Sequence, residues 1–450
     1  MEKNLTTGGV FGTIVAFALP YLLSYFLQTL YGMADLFIAG QFIGVDGITA
    51  VANGSQVLYM LTVVIVGLAM GSTVTIGRAI GANRLDKASK AIGNTITLFI
   101  GVAIALTATL LLSVRGIVAV MGTPVEAVGG MTDYLTICFA GIPFVVAYNI
   151  ISSVFRGLGD SKSPMYFIAV ACLCNIALDY LFMGAMHLGA AGAAWGTILA
   201  QVISVIVSFI AIRRKRSGIS LHAADLRPDR SVLGSMLTIG VPTAVQDGCI
   251  QIAFIIITVI ANYRGLDDAA AVGVVEKVIS ALFLVPSAML ATVSAVSAQN
   301  IGAGKPERAA QTLRYATAIT VIYGIIISIV VELTAGPIVG LFTTDATVVL
   351  LGVQYIRSYI VDSIFAGIHF CFSGFFAAYG KSYIGFIHNI VAITLVRVPG
   401  SYLASKLFPS TLFPMGLAAP AGSILSVLIC LGFYAWLKHR GVFAAAAATR

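Results

Sequence analysis

Apolar runs of about twenty residues or more, parted by short polar breaks, follow one another along the whole chain. Each is long enough to cross a hydrocarbon layer of about 30 Å as a helix. The runs are continuous rather than alternating, which predicts helices and not a β-barrel. The breaks divide the chain into twelve spans, at 12–38, 47–73, 91–113, 131–154, 165–186, 190–212, 234–263, 269–295, 309–333, 351–377, 383–405 and 414–437. No hydrophilic stretch is long enough for a separate soluble domain. Met1 to Gly9 is short and polar, and Phe11 to Ala39 is too long for a signal core, so no cleavable signal is expected.

The pattern is written twice. At an offset of 221 residues Gly44, Asp46, Ala50 and Val51 fall on Gly265, Asp267, Ala271 and Val272. Ile80-Gly81-Ala82 falls on Ile301-Gly302-Ala303, and Tyr134, Phe155, Gly159 and Ser161 fall on Tyr355, Phe376, Gly380 and Ser382. Identity is sparse, so the constant register is the argument. The most polar stretch, 213–233, opens with Arg213-Arg214-Lys215-Arg216 and continues through Gly218 and Pro228. It reads as a linker between an N-terminal lobe, 1–212, and a C-terminal lobe, 234–450. Six spans precede it and six follow. An even number keeps both repeats in one orientation, so the expected fold is all-α, with twelve transmembrane helices in two parallel six-helix repeats.

Composition agrees: the chain is 59% hydrophobic and 10% charged, with mean hydropathy +1.00, where a soluble domain carries about 25% charged residues. The net charge of +8 would suit a polyanion, but its placement argues against nucleic acid. Twelve spans put both termini on one side. Breaks on that side hold Arg78, Arg84, Lys87, Lys90, Arg156, Lys162, Arg213 to Arg216, Arg227, Arg230, Lys305, Arg308, Arg314 and Lys381, and the tail adds Lys438 and Arg440. The opposite breaks hold little beyond Arg115, Arg264 and Lys406. This bias predicts cytoplasmic termini. The cysteines at 138, 172, 174, 249, 371 and 430 all fall inside spans and read as small core residues.

An ionisable side chain in hydrocarbon costs at least about 2.5 kcal/mol and usually faces a cavity. The spans hold Asp35, Asp179, Asp247, Glu276, Lys277, Glu332 and Arg397. Gln28, Tyr31 and Asp35 share one face of span 1, and Asn175 precedes Asp179 by one turn in span 5. Span 6 carries a stripe of Thr197, Gln201, Ser204 and Ser208, and span 4 carries Tyr134, Asn149, Ser152 and Ser153. Four polar faces would enclose a chamber with two carboxylates. Two such groups in a low dielectric, with no lysine or arginine beside them, cannot both stay ionised cheaply. A proton would relieve them. So would a sodium ion among Asp35, Asp179 and the Asn175 carbonyl oxygen, since hard cations take oxygen ligands. The alternative is that one Asp merely bonds a neighbouring helix. At the common offset Asp179 falls on Gly400 and Asn175 on Val396, so this constellation belongs to the first half alone.

The second half offers a candidate polar site of Asp247, Glu276 and Arg397. Glu276 with Arg397, or Asp247 with Lys277, would make an inter-helix ion pair; a direct substrate role is the other reading. Glu332, at a span end, reads as solvated. Each half opens on a proline-bearing helix, at Pro20 and Pro242, which frees a backbone carbonyl and permits a bend; Pro20 is the candidate hinge. Tyr31 is the aromatic residue expected to meet a flat substrate. The stretch Phe443–Thr449 reads as an unstructured end.

Several of these residues form recognisable motifs: Leu19-Pro20, Gly81-Ala82 with the basic run after it, Phe155-Arg156-Gly157-Leu158-Gly159-Asp160, and Asn175-Ile176-Ala177-Leu178-Asp179. With twelve spans in two repeats, they make the chain resemble the multidrug and toxic compound extrusion (MATE) family over essentially its full length. It looks most like the bacterial DinF-type, MepA-like branch, whose span 1 Asp, span 5 Asn and Asp and span 6 Thr are matched by Asp35, Asn175, Asp179 and Thr197. The resemblance implies a V-shaped pair of six-helix lobes in a bacterial cytoplasmic membrane, working by alternating access as a functional monomer. It implies export of cationic, amphipathic drugs in exchange for protons or sodium, with no cofactor. The chain departs from the NorM-type branch, which carries an acidic cluster in its second half. Span 10 here has only Asp362, near its start.

No GxxxxGK[ST] phosphate-binding loop occurs, so energy must come from an ion gradient. A lipid-linked sugar flippase or polysaccharide exporter of the wider superfamily is the rival reading; it calls for several basic residues in the cavity, and only Lys277 and Arg397 are intramembrane cations. An intramembrane enzyme is disfavoured because no Ser/His pair or metal-ligand cluster has useful spacing: His369 and His388 lie in different spans and His187 in an outer break.

Overall fold

The structure, a computed structural model, describes residues 4–214 and 221–444. Lys215, Arg216 and Gly218 of the expected linker, and the alanine tail from 445, lie outside the described residues. The first half comprises α1 (Val10–Phe42), α2 (Val45–Gly81), α3 (Leu85–Val120), α4 (Val125–Ala140), α5 (Ile142–Gly157), α6 (Lys162–Asp179) and α7 (Gly189–Arg214). The second comprises α8 (Arg230–Asn262), α9 (Leu266–Leu282), α10 (Leu284–Gly302), α11 (Pro306–Gly340), α12 (Ala346–Ile360), α13 (Asp362–Ala378), α14 (Ser382–Ala392), α15 (Val398–Leu407), α16 (Phe413–Gly416) and α17 (Ala418–His439). No strand occurs among the described residues.

Among the described residues ten helical segments are long and apolar enough to span a membrane, and two bent pairs, each counted as one span, bring the number to twelve. The bends fall within spans 4 and 10. α4 and α5 meet at 48° around Gly141, and α12 and α13 meet at 41° around Val361. In the first pair the cause is local: Pro143 opens α5 and cannot donate to the turn before it. The two breaks fall within one residue of each other in the repeat, and two left-handed turns coincide. Asn83 (φ 54°) matches Gly304 (φ 69°), and Gly159 (φ 86°) matches Gly380 (φ 69°). A positive φ favours glycine or asparagine, so these four residues are what the turns require.

The chain divides into two compact units, Leu19–Leu237 in one and Thr238 onward in the other, with Leu5–Ala18 grouped in the second. Both proline-bearing helices therefore change unit just before their prolines. The segment before α1 is held within the second unit. Leu5 N donates to Gln299 Oε1 (3.3 Å), Lys305 Nζ donates to Thr6 O (2.9 Å), and Arg308 donates to Thr7 O (2.9 Å) and Gly8 O (2.7 Å). The segment before α8 is held within the first unit. There Asn94 Nδ2 donates to Asp225 O (3.2 Å) and Arg227 O (3.3 Å), Asp229 N donates to Asn94 Oδ1 (2.7 Å), and Lys90 pairs with Asp229 (2.5 Å).

Each unit has its own core. Phe99, Tyr134 and Phe139 are fully buried in the first, and Tyr355, Tyr359, Phe375 and Phe376 in the second. Between lipid-exposed helices the driving force is close packing, which small residues permit. Gly54 of α2 lies against the Tyr134 ring with no room for a Cβ, and Gly374 of α13 likewise meets the Leu290 carbonyl.

Candidate functional site

Two carboxylates set the chemistry of the first unit. α1 carries Asp35 and α6 ends on Asp179, after which the chain widens into a π-helical turn, Tyr180–Ala185. Such turns recur at functional sites because the shifted hydrogen bonding re-aims side chains. Asp179 and Asn175 are 0% exposed, Asp35 2% and Thr197 3%. The bare face of Gly196 on α7 lets the Asp179 carboxylate reach that helix: a Cβ there would stand on Asp179 Oδ1.

Thr197 Oγ1 donates to Asp35 Oδ2 (3.3 Å), and Tyr31 donates to the Thr197 carbonyl (3.2 Å). Asp179 and Asn175 lie within interaction distance of Asp35. Yet Asp35 Oδ1, both Asp179 oxygens and both amide atoms of Asn175 have no hydrogen-bond partner. No lysine or arginine ion-pairs with either carboxylate among the described residues. The cluster thus offers a set of unpaired oxygens in a low-dielectric surround, able to hold one negative charge cheaply but not two. A proton shared between the carboxylates fits it. So does a small hard cation taking the free oxygens of Asp35, Asp179 and Asn175. No group of three or more His, Cys, Asp or Glu residues with metal-holding geometry occurs among the described residues.

Of the residues expected to line the chamber, Gln28 and Asn149 border a cavity with Tyr21, Tyr25, Tyr148 and Arg156. There Arg156 donates to Tyr21 Oη (3.1 Å) and stacks over that ring at 5.0 Å. Tyr134 is a core residue, 1% exposed, whose electrostatic neighbours are Cys138, Asp35 and Tyr31. Cys138 therefore borders the carboxylate cluster, a placement its small apolar character does not announce. Gln201 Oε1 is buried without a partner one turn beyond Thr197. Pro20 sits inside α1 without breaking the helix.

In the second unit the ion pair differs from both pairings read from the sequence. Arg397 bonds Asp362 (3.4 Å) and Tyr359 Oη, and stacks on Phe254 at 5.4 Å. Glu276 accepts instead from Thr258 (3.1 Å), and Lys277 is exposed. The reason is the bend at Val361. It makes Asp362 the first residue of α13, with a side chain 1% exposed. Arg397 closes a second π-helical turn, Ile393–Arg397, in the helix that repeats α6. Glu332 is exposed, as expected, and pairs with Arg357 (3.3 Å). The view that no serine and histidine pair is corrected too: His388 Nε2 lies 2.8 Å from Ser373 Oγ, across two helices.

Comparison with known proteins agrees with the two-repeat plan. The MatE family profile matches residues 20–181 and 242–403, each match opening on the proline of its repeat. "Probable multidrug resistance protein YoeA" of Bacillus subtilis (strain 168) is 26% identical over 442 residues, covering 96% of this chain and 95% of its own length. "Multidrug export protein MepA" of Staphylococcus haemolyticus (strain JCSC1435) is 24% identical over 407 residues, 89% of this chain and 88% of its own. A solved outward-facing multidrug resistance MATE family transporter superposes with TM-score 0.90 over 99% of this chain and 98% of its own, at 22% identity.

Proposed function

Because the chain belongs to the MatE family of membrane transporters, and is a transporter rather than an enzyme, we propose that it exports cationic, amphipathic compounds in exchange for protons or sodium. The observation that carries this reading is the buried pair Asp35 and Asp179, which lacks any cationic partner among the described residues. A site that is short of positive charge by design suits a cargo that is itself a cation.

The coupling follows from charge. With a proton or sodium bound at Asp35, Asn175, Asp179 and Thr197, the carboxylates are neutralised and favour one arrangement of α1, α6 and α7. With the ion released, the negative charge favours another. A cationic drug held near Tyr31, Gln28, Tyr134, Asn149 and Gln201 competes with the ion electrostatically. Antiport needs negative coupling between the two ligands of about 1–3 kcal/mol. Pro20 serves as the bend of α1 between arrangements, and Asp247, Glu276 and Arg397 tune the polarity of the second lobe. The lobes are 1–212 and 234–450, joined by a cytoplasmic linker at 213–233. Both termini face the cytoplasm of a bacterium, consistent with the basic breaks. One chain carries both repeats and works as a monomer.

The test is cationic dye flux in proteoliposomes under an imposed pH gradient without sodium, and under a sodium gradient without a pH gradient. Asp35→Asn and Asp179→Asn should each abolish the gradient-driven flux while leaving dye binding. Active flux that persists in both variants would refute the site. No flux of cationic dye under either gradient would favour a lipid-linked substrate.

A further inference from the structure

The cavity that Arg156 shares with α1 lies within the first unit and measures about 20 Å³. Tyr21, Tyr25 and Gln28 of α1 face Tyr148, Asn149 and Arg156 of α5 across it. Among the described residues its lining holds one charge, the Arg156 guanidinium, and no carboxylate. Arg156 spends one N–H on Tyr21 Oη (3.1 Å) and lies over that ring at 5.0 Å. A guanidinium has five such donors, so most of the fork stays available. The nearest acid along the chain is Asp160. Its carboxylate accepts from Lys162 N (3.0 Å), Ser163 N (3.0 Å) and Ser163 Oγ (2.7 Å). No carboxylate ion-pairs with Arg156 among the described residues.

Two structural duties could account for a cation here. Arg156 stands in the last turn of α5, where a positive charge suits the helix dipole. The repeat tests that duty. At the 221-residue offset Arg156 falls on Ala377, and α13 ends with no basic residue in its last turn. The fold does not require a cation at this turn. The other duty is to fix topology, which an exposed residue such as Lys162 performs as well. Arg156 is half-buried, among the buried side chains of Tyr21, Tyr148 and Asn149. A charge drawn from water is costly until something offsets it. The cavity offers hydrogen-bond donors for that purpose. The Tyr21 hydroxyl accepts from Arg156 and keeps its own hydrogen. Asn149 Nδ2 commits one hydrogen to Val145 O (2.8 Å) and keeps another, and Gln28 brings a second amide. A cation ringed by donors, with no acid beside it, is the chemistry of an anion site. The volume suits a single atom-sized occupant rather than a dye or a lipid headgroup.

We infer that this cavity binds one small, singly charged anion, chloride or an ion of its size. Arg156 supplies the charge, and the Tyr21 hydroxyl with the Gln28 and Asn149 amides supplies the hydrogen bonds. One consequence rests on the transport reading above. Gln28 and Asn149 are also the amides assigned to the cationic cargo. A cargo nearing them meets a bare guanidinium and is repelled. An anion offsets that charge, so anion and cargo bind with positive coupling.

The experiment is the 35Cl NMR line width of chloride over full-length protein in phosphatidylcholine nanodiscs, with sodium gluconate holding the ionic strength. Expected is saturable broadening that bromide competes away and sulfate, too large for the cavity, does not. Tyr21→Phe removes one donor and should weaken chloride about tenfold. Arg156→Gln should abolish the broadening, with melting in gluconate showing that each variant folds. If Arg156→Gln does not fold, Tyr21→Phe decides. No saturable broadening in wild type would overturn the site. So would equal broadening in the variants that fold, or competition by sulfate. A second arm measures dye affinity, which should be several-fold tighter in chloride than in gluconate, with no such difference in Arg156→Gln. Equal dye affinity in the two salts, with chloride bound, would overturn the coupling. No dye binding in either salt would count against the transport reading and leave the chloride result standing.

Discussion

Gly196→Ala isolates the carboxylate site with one methyl group. The added carbon would overlie Asp179 Oδ1 and stand 3.2 Å from Asp179 Cγ and 3.5 Å from its backbone nitrogen. Carbon and oxygen in ordinary contact are well over 3 Å apart, so the carboxylate or the helix must move on the order of 1 Å. Two terms compete in stability. Overpacking costs about 1–3 kcal/mol, while replacing a mid-helix glycine returns about 1 kcal/mol. The net loss is therefore small, about 0–2 kcal/mol, and the protein should still fold. Coupling is affected more: a 1 Å misplacement of a functional group can cost about a hundredfold in rate. Gly101→Ala on α3, with nothing within 4 Å of the new carbon, is the matched control and should be neutral or slightly stabilising. The assay pairs thermal stability in detergent with gradient-driven dye flux. Wild-type flux in Gly196→Ala, with wild-type ion dependence, would refute the idea that Asp179 must sit where α7 leaves it room.

Asn94→Ala should free the segment before α8, since it loses bonds to Asp225 O, Arg227 O and Asp229 N. At about 1 kcal/mol each the loss is about 2–4 kcal/mol, read as faster amide exchange over residues 223–229. Asp229 should make that docking pH-sensitive. The hydrogen bond from Lys90, then the backbone N–H groups of Val232 and Ser231, hold its carboxyl below the ordinary value of 3.8. A depressed carboxylate contributes above its unfolded value and loses that contribution as pH falls below it. Exchange over the segment should therefore rise below pH 3.8 in wild type, and the rise should be absent in Asp229→Asn. Arg264→Lys should destabilise the second unit by about 1.5–3 kcal/mol, because a single ammonium cannot replace the planar fork. That fork now reaches Ser405 O, Phe408 O, Pro409 O and Thr411 O at 3.0–3.2 Å; an unchanged melting temperature would contradict this.

Much of this was legible in the chain because hydrocarbon makes its violations conspicuous. Asp35, Asn175, Asp179 and Thr197 stood out as polar groups where polar groups are costly, and the fold brings them together. The span count was legible for the same reason. What escaped depends on rotation and bending, which hydropathy does not record. The apolar run across Val361 is unbroken, so the bend that buries Asp362 left one trace, an acid in an otherwise apolar stretch. The π turn after Asp179 has no proline to announce it, whereas Pro399 follows the one before Val398. His369 meets His388, and Arg397 meets Asp362, only once α13, α14 and the turn after it have taken their rotations. Gln28 shares its helix with Asp35, yet it borders a cavity with Tyr21, Tyr148 and Arg156, contacts that hydropathy does not record.

The segment before α1 has a consequence for biosynthesis. Its backbone bonds run to Gln299, Lys305 and Arg308, partners 294 to 301 residues away. A ribosome delivers Leu5 long before those side chains, so residues 5–8 cannot find their places until the second half is made. Such late closure is slow by its sequence separation alone. The first half, emerging by itself, must wait with its leading strap undocked. A chain cut after the linker would leave Thr6, Thr7 and Gly8 without the donors that hold them.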